Sequence, residues 1–174
     1  MATTFEITGL KETLQVFQDL ENEIGDKKAR SKVLIPSVRE AMKSVLAMAK
    51  SLSPKDTGLL ERTLTIVARR PNRNDKKSKY INNSDSVIAI VTTKPIPKKL
   101  KQQSAGMSRS EKKKFYASKN RLYDARAVAN EFGTANMNAK PFMRVSLESQ
   151  SSMVAKKLGE IINQNILKYR SKSL

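Results

Sequence analysis

The chain has 174 residues, with 34 Lys or Arg against 16 Asp or Glu, a net charge of +18, and no Cys, His or Trp. A chain of that length buries about two-thirds of its unfolded surface and folds without staples; 39% apolar and 29% charged residues describe a polar globular protein rather than a disordered one. Without Cys there is no disulfide, thiol nucleophile or thiolate zinc site, and without His the commonest base and metal ligand near neutral pH is missing.

In chain order, Phe5-Glu6-Ile7-Thr8-Gly9 alternates apolar and polar residues and meets a glycine, which predicts a short strand ending in a turn. The opening Met-Ala-Thr-Thr-Phe-Glu has no basic region followed by an apolar stretch, so no signal peptide is expected. Leu10, Leu14, Phe17, Leu20 and Ile24 repeat at helical spacing and predict an amphipathic helix that stops near Gly25. A longer helix is expected from about Lys28 to Leu52, with Val38, Met42, Val45, Leu46, Ala49 and Leu52 as its buried stripe. Pro36 inside that pattern predicts a kink or a restart, and Pro54 opposes continuation at the far end. The β-branched runs Thr63–Arg69 and Val87–Thr93 predict two strands, joined by a long polar connection. Val128–Phe132 reads as a further strand, and Leu147, Val154, Leu158, Ile161, Ile162, Ile166 and Tyr169 predict a closing amphipathic helix. No apolar run approaches the roughly 20 residues of a membrane span. There is no internal repeat or low-complexity linker, so residues 1–174 are expected to form one domain.

The positive charge is concentrated in the middle of the chain. Residues 69–126 hold 17 Lys or Arg and 4 Asp or Glu. One cluster is Arg69, Arg70, Arg73, Lys76, Lys77 and Lys79. The second runs through Lys94, Lys98, Lys99, Lys101, Arg109, Lys112, Lys113, Lys114, Lys119 and Arg121. Such a field attracts an acidic partner, whether nucleic acid, an anionic surface or an acidic protein face. Residues 95–121 have little apolar periodicity and are expected to form an extended basic arm or insertion, although Ser108 with Glu111 carries a helix-capping signature. Few aromatic residues interleave with the second cluster, so the charge predicts electrostatic attraction rather than base recognition.

Catalysis is not expected. The chain has no P-loop, no paired-glycine fingerprint and no acidic triplet at metal spacing, so neither a metal nor a cofactor is predicted. Asp56 and Glu131 are the candidates for paired carboxylates, but nothing in their spacing unites them. Ser and Lys are too abundant for their co-occurrence to mean anything.

Two motifs are more specific. The first is Pro54-Lys55-Asp56-Thr57-Gly58-Leu59-Leu60; the second is Glu131-Phe132-Gly133-Thr134, followed by Pro141-Phe142-Met143-Arg144. Each redirects the chain: Asp and Thr bond to nearby amides, Gly permits angles other residues resist, Pro141 sets the entry to the last helix and Phe142 pins that entry to a core. Their order within the succession of helices and strands resembles the tail-component and tail-completion family of tailed bacteriophages, the group to which the minor tail protein Z of lambdoid phages belongs. The similarity runs from about Phe5 to Tyr169. The chain departs from the family at Val145-Ser146, where members carry Pro-Ala, at Asn130, where they carry an apolar residue, and in its longer basic stretch.

The resemblance implies an α+β fold in which a small antiparallel sheet packs against a long helix and a C-terminal helix. It implies a non-enzymatic structural protein of the virion neck, present in the host cytoplasm during assembly. It further implies a homo-oligomer, a hexameric ring where head meets tail, next to connector or stopper, tail-terminator or tail-tube proteins, and no membrane. The acidic partner of the basic stretch would then be genomic DNA in the lumen or an acidic face of a neighbouring ring. A small basic protein that binds nucleic acid without sequence preference is the alternative.

Overall fold

A computed structural model describes residues 10–78, 81–122 and 126–173. The expected strand at Phe5–Gly9 lies outside them. Helices hold 64% of the described residues, and a two-stranded antiparallel sheet supplies the β part, so the class is α+β. The described residues divide into two compact units, one built from residues 10–44, 66–90 and 150–173, the other from residues 45–65 and 91–149.

In the first unit, α1 (Leu10–Ile24) turns Leu20 fully into the core, with Val16, Phe17 and Ile24 beside it. Leu14, expected in the same stripe, is 57% exposed. Its place on the inner face goes to Thr13, whose hydroxyl accepts from the Asn163 side-chain amide at 3.2 Å. A buried polar residue that finds a partner is invisible to a count of apolar positions. The expected long helix is broken into α2 (Asp26–Ala29), a π-helical turn over Arg30–Leu34, α3 (Ile35–Ala41) and α4 (Lys43–Leu52). Pro36 accounts for the first break. It has no N–H for the carbonyl four residues back and its ring crowds that carbonyl, so the preceding turn widens and Ile35 N–H bonds to the Arg30 carbonyl five residues back. Ala29 and Val33 from these turns meet Leu20, Ile162 and Ile166 in one apolar cluster, and the buried Ser37 hydroxyl accepts from the Asn165 side-chain amide at 2.9 Å.

The strands β1 (Leu64–Arg69) and β2 (Ile88–Thr93) lie within a residue of their expected limits. Thr63 instead closes α5 (Leu59–Thr63). In the connection between the strands, Asp75 pairs with Arg69 and accepts from Asn72 N–H at 2.7 Å, contacts that hold its carboxyl below the usual carboxylate range.

The second unit contains most of α4, α5, α6 (Lys98–Gln103), α7 (Arg109–Ser118), α8 (Arg126–Phe132) and the first turns of α9 (Met143–Ser173). Its core gathers Ala49, Leu59, Leu60, Leu64, Leu122, Ala127 and Phe142, with Val91 and Met143 packed against them. The sheet end and the start of the C-terminal helix therefore share one core. Two expectations are corrected here. Val128–Phe132 is helical, not a strand: Ala127, Asn130 and Glu131 are buried at helical spacing, whereas Val128 and Phe132, the residues that suggested a strand, are exposed. The basic stretch is not an extended arm. It carries α6 and α7, and Tyr116 ties them together, fully buried with its hydroxyl 2.5 Å from Ser104 Oγ. The capping signature is realised at the start of α7, where Ser108 Oγ accepts from Glu111 N–H and the Glu111 carboxylate accepts from Ser108 N–H at 2.7 Å.

Candidate functional site

Both sequence motifs fall in the second unit. After α4 the first motif turns the chain back. Thr57 Oγ1 accepts from Leu59 N–H at 3.4 Å, and Gly58 takes a left-handed conformation (φ 63°) that starts α5. The turn delivers Leu59 and Leu60 to the core and leaves Asp56 and Thr57 exposed. Arg62, one turn into α5, donates to the Thr57 carbonyl at 3.3 Å.

The second motif works over a longer range. Glu131, at the end of α8, is only 3% exposed, and its carboxylate reaches the start of α9. Oε2 accepts from the N–H groups of Phe142 (2.9 Å) and Met143 (2.8 Å); Oε1 accepts from Arg144 N–H (3.0 Å) and Arg144 Nε (3.0 Å). Arg144 Nη2 also donates to the Glu131 carbonyl at 2.9 Å, and its guanidinium lies 5.0 Å over the Phe132 ring. One carboxylate thus satisfies three amides that the first turn of α9 would otherwise leave without partners. Burial pushes the Glu131 carboxyl up, but the amides of Met143, Arg144 and Phe142 and the Arg144 side chain outweigh it and hold the group below the usual glutamate range. Phe142, 1% exposed, inserts its ring into the core beside this clamp. Gly133 (φ 77°) makes the turn between them. A Cβ there would stand 2.8 Å from the Met137 carbonyl oxygen and 2.9 Å from Ala139 N, so only glycine fits. Thr134 bridges to Met137, and Pro141 is exposed just ahead of Phe142. Ser146 is buried and its hydroxyl donates to the Phe142 carbonyl.

Beside the first motif lies an open cleft of about 860 Å³. Asp56, Thr57, Leu59 and Arg62 form one wall; Arg109, Ser110, Lys113, Lys114 and Ala117, one face of α7, form the other; Arg126 stands at the start of α8. Five cations and one carboxylate thus line the cleft, together with the apolar Leu59 and Ala117. A smaller cleft of about 230 Å³ lies between Pro54, Asp56, Thr57, Gly58 and Leu60 on one side and Arg126, Asn130 and Met137 on the other.

The structure therefore brings the first motif together with Arg109, Lys113 and Lys114. Lys112, although adjacent, does not line the cleft and is half-buried. Lys98, Lys99 and Lys101 are exposed on α6, Lys119 is exposed just after α7, and Arg121 is half-buried with its N–H bonded to the Tyr116 carbonyl at 2.8 Å. Arg62 and Arg126 are isolated charges in the sequence, and only the fold carries them to the basic face of α7. Asp56 and Glu131 divide their roles: Glu131 commits both oxygens to α9 and Arg144, while Asp56 stands exposed at the cleft. Among the described residues no three Asp or Glu form a group that could hold a metal ion, and no helix is long and apolar enough to cross a membrane.

No family model, curated protein or solved structure matches the chain.

Proposed function

We propose that the protein is a structural, non-enzymatic subunit of a tailed-bacteriophage virion, a tail-completion or head–tail joining protein that forms a hexameric ring at the neck. The observation that carries this reading is the convergence of the two motifs. Separated by some seventy residues of sequence, both deliver their apolar residues, Leu59, Leu60 and Phe142, to one core. Their polar residues either build turns or cap a helix, which is the work of a scaffold. The unit they build presents a cationic cleft suited to an acidic neighbour. The charge of +18 also supports the alternative, a nucleic-acid-binding protein that contacts phosphates without reading sequence.

Deleting the coding sequence from a phage that carries it, followed by electron microscopy of the lysate, separates the two. A joining subunit leaves filled heads and complete tails that fail to unite. Normal joined particles without the protein rule the neck role out.

A further inference from the structure

The geometry points to the cationic cleft as a docking site for an acidic protein segment that carries an apolar side chain between its carboxylates, rather than for nucleic acid. The purified chain alone can test this, so it does not depend on the virion reading.

The charge is arranged along two walls. Arg109 and Lys113 are one helical turn apart on α7, with Lys114 beside them, and Arg62 and Arg126 come from α5 and α8. Carboxylates one turn apart on a helical segment, or alternating along an extended one, would meet cations on both walls. Arg62 and Arg109 also offer the planar fork that binds a carboxylate through two bonds.

The apolar part of the lining argues against phosphate as the ligand. The lining includes Leu59 and Ala117, which also belong to or pack against the core of this unit, apolar groups that gain nothing from a phosphodiester but would bury an aliphatic side chain. Charge complementarity supplies attraction and on-rate, and the apolar lining supplies discrimination between acidic partners.

The test uses fluorescence anisotropy of the full chain with three labelled probes: a peptide of Asp and Glu with central Leu residues, the same peptide with Leu replaced by Ser, and a short DNA duplex. The Leu peptide should bind most tightly, by about tenfold over the Ser peptide. Arg62→Glu with Lys113→Glu should weaken the Leu peptide at least about tenfold. Ser110→Trp, which pushes a bulky ring into the cleft and leaves every charge in place, should weaken the Leu peptide severalfold and leave DNA binding unchanged. Circular dichroism checks that both variants keep the wild-type helix content. Equal binding of the two peptides, an unchanged affinity in the Arg62/Lys113 variant, or a Ser110→Trp variant that loses DNA and peptide alike would overturn the assignment.

Discussion

The two units hold their polar groups in opposite ways. In the first, side chains of distant elements meet in pairs: Thr13 with Asn163, Ser37 with Asn165, Glu23 with Arg170 at 2.7 Å. The last of these is half-exposed on both sides, where screening and side-chain entropy leave little net stabilisation. In the second, one buried carboxylate serves three backbone amides and a guanidinium at once. Removing one member of a pair can let water or a neighbour substitute, whereas removing Glu131 strands several donors in a buried place. The second unit thus concentrates its polar stability in a few residues, and its outer surface is left to carry the cationic cleft.

That contrast predicts a ranking of losses. Phe142→Ala should cost about 4 kcal/mol in a denaturant melt, because it removes a ring from the centre of the second core. Gly133→Val should cost about 3 kcal/mol, since the side chain meets two backbone atoms at a left-handed position; a change below about 0.5 kcal/mol would show the turn to be free to adjust. Glu131→Gln should cost about 2 kcal/mol at neutral pH. Because the folded state holds the Glu131 carboxyl below its unfolded value, its stabilisation is complete above the ordinary glutamate range and fades as pH falls through the folded-state value. The Gln variant should lack that component, so the gap between the two proteins narrows in acid; a gap constant with pH would contradict the clamp. In the first unit, Glu23→Gln should cost less than about 0.5 kcal/mol, and a loss as large as that of Glu131→Gln would erase the contrast.

How much of this was legible depends on whether the signal was local. The strands at 64–69 and 88–93 follow from β-branched runs, and the capped start of α7 from Ser108 and Glu111. Gly133 and Phe142 are recognisable because a turn and a core anchor need those residue types. Other features depended on long-range contacts. Glu131 caps a helix that begins a dozen residues later, outside any capping-box spacing, so no local pattern points to it. The basic stretch reads as an extended arm or insertion because one tyrosine, Tyr116, replaces an apolar stripe as its anchor. Leu14 and Val128 show the converse, apolar residues that fit a pattern yet stand in the open. The cleft itself needed the fold, because Arg62, Arg109 and Arg126 come from three separate helices.

The proposed neck role requires the cationic face of the second unit to meet an acidic neighbour during assembly. Lys113→Glu with Lys114→Glu reverses two exposed cleft charges and should change stability by less than about 0.5 kcal/mol. Supplied in trans to a phage lacking the wild-type gene, this variant should yield filled heads and separate tails under the electron microscope. Joined particles at the wild-type yield would contradict the claim, and joined particles that leak DNA would place the charge at the genome end instead.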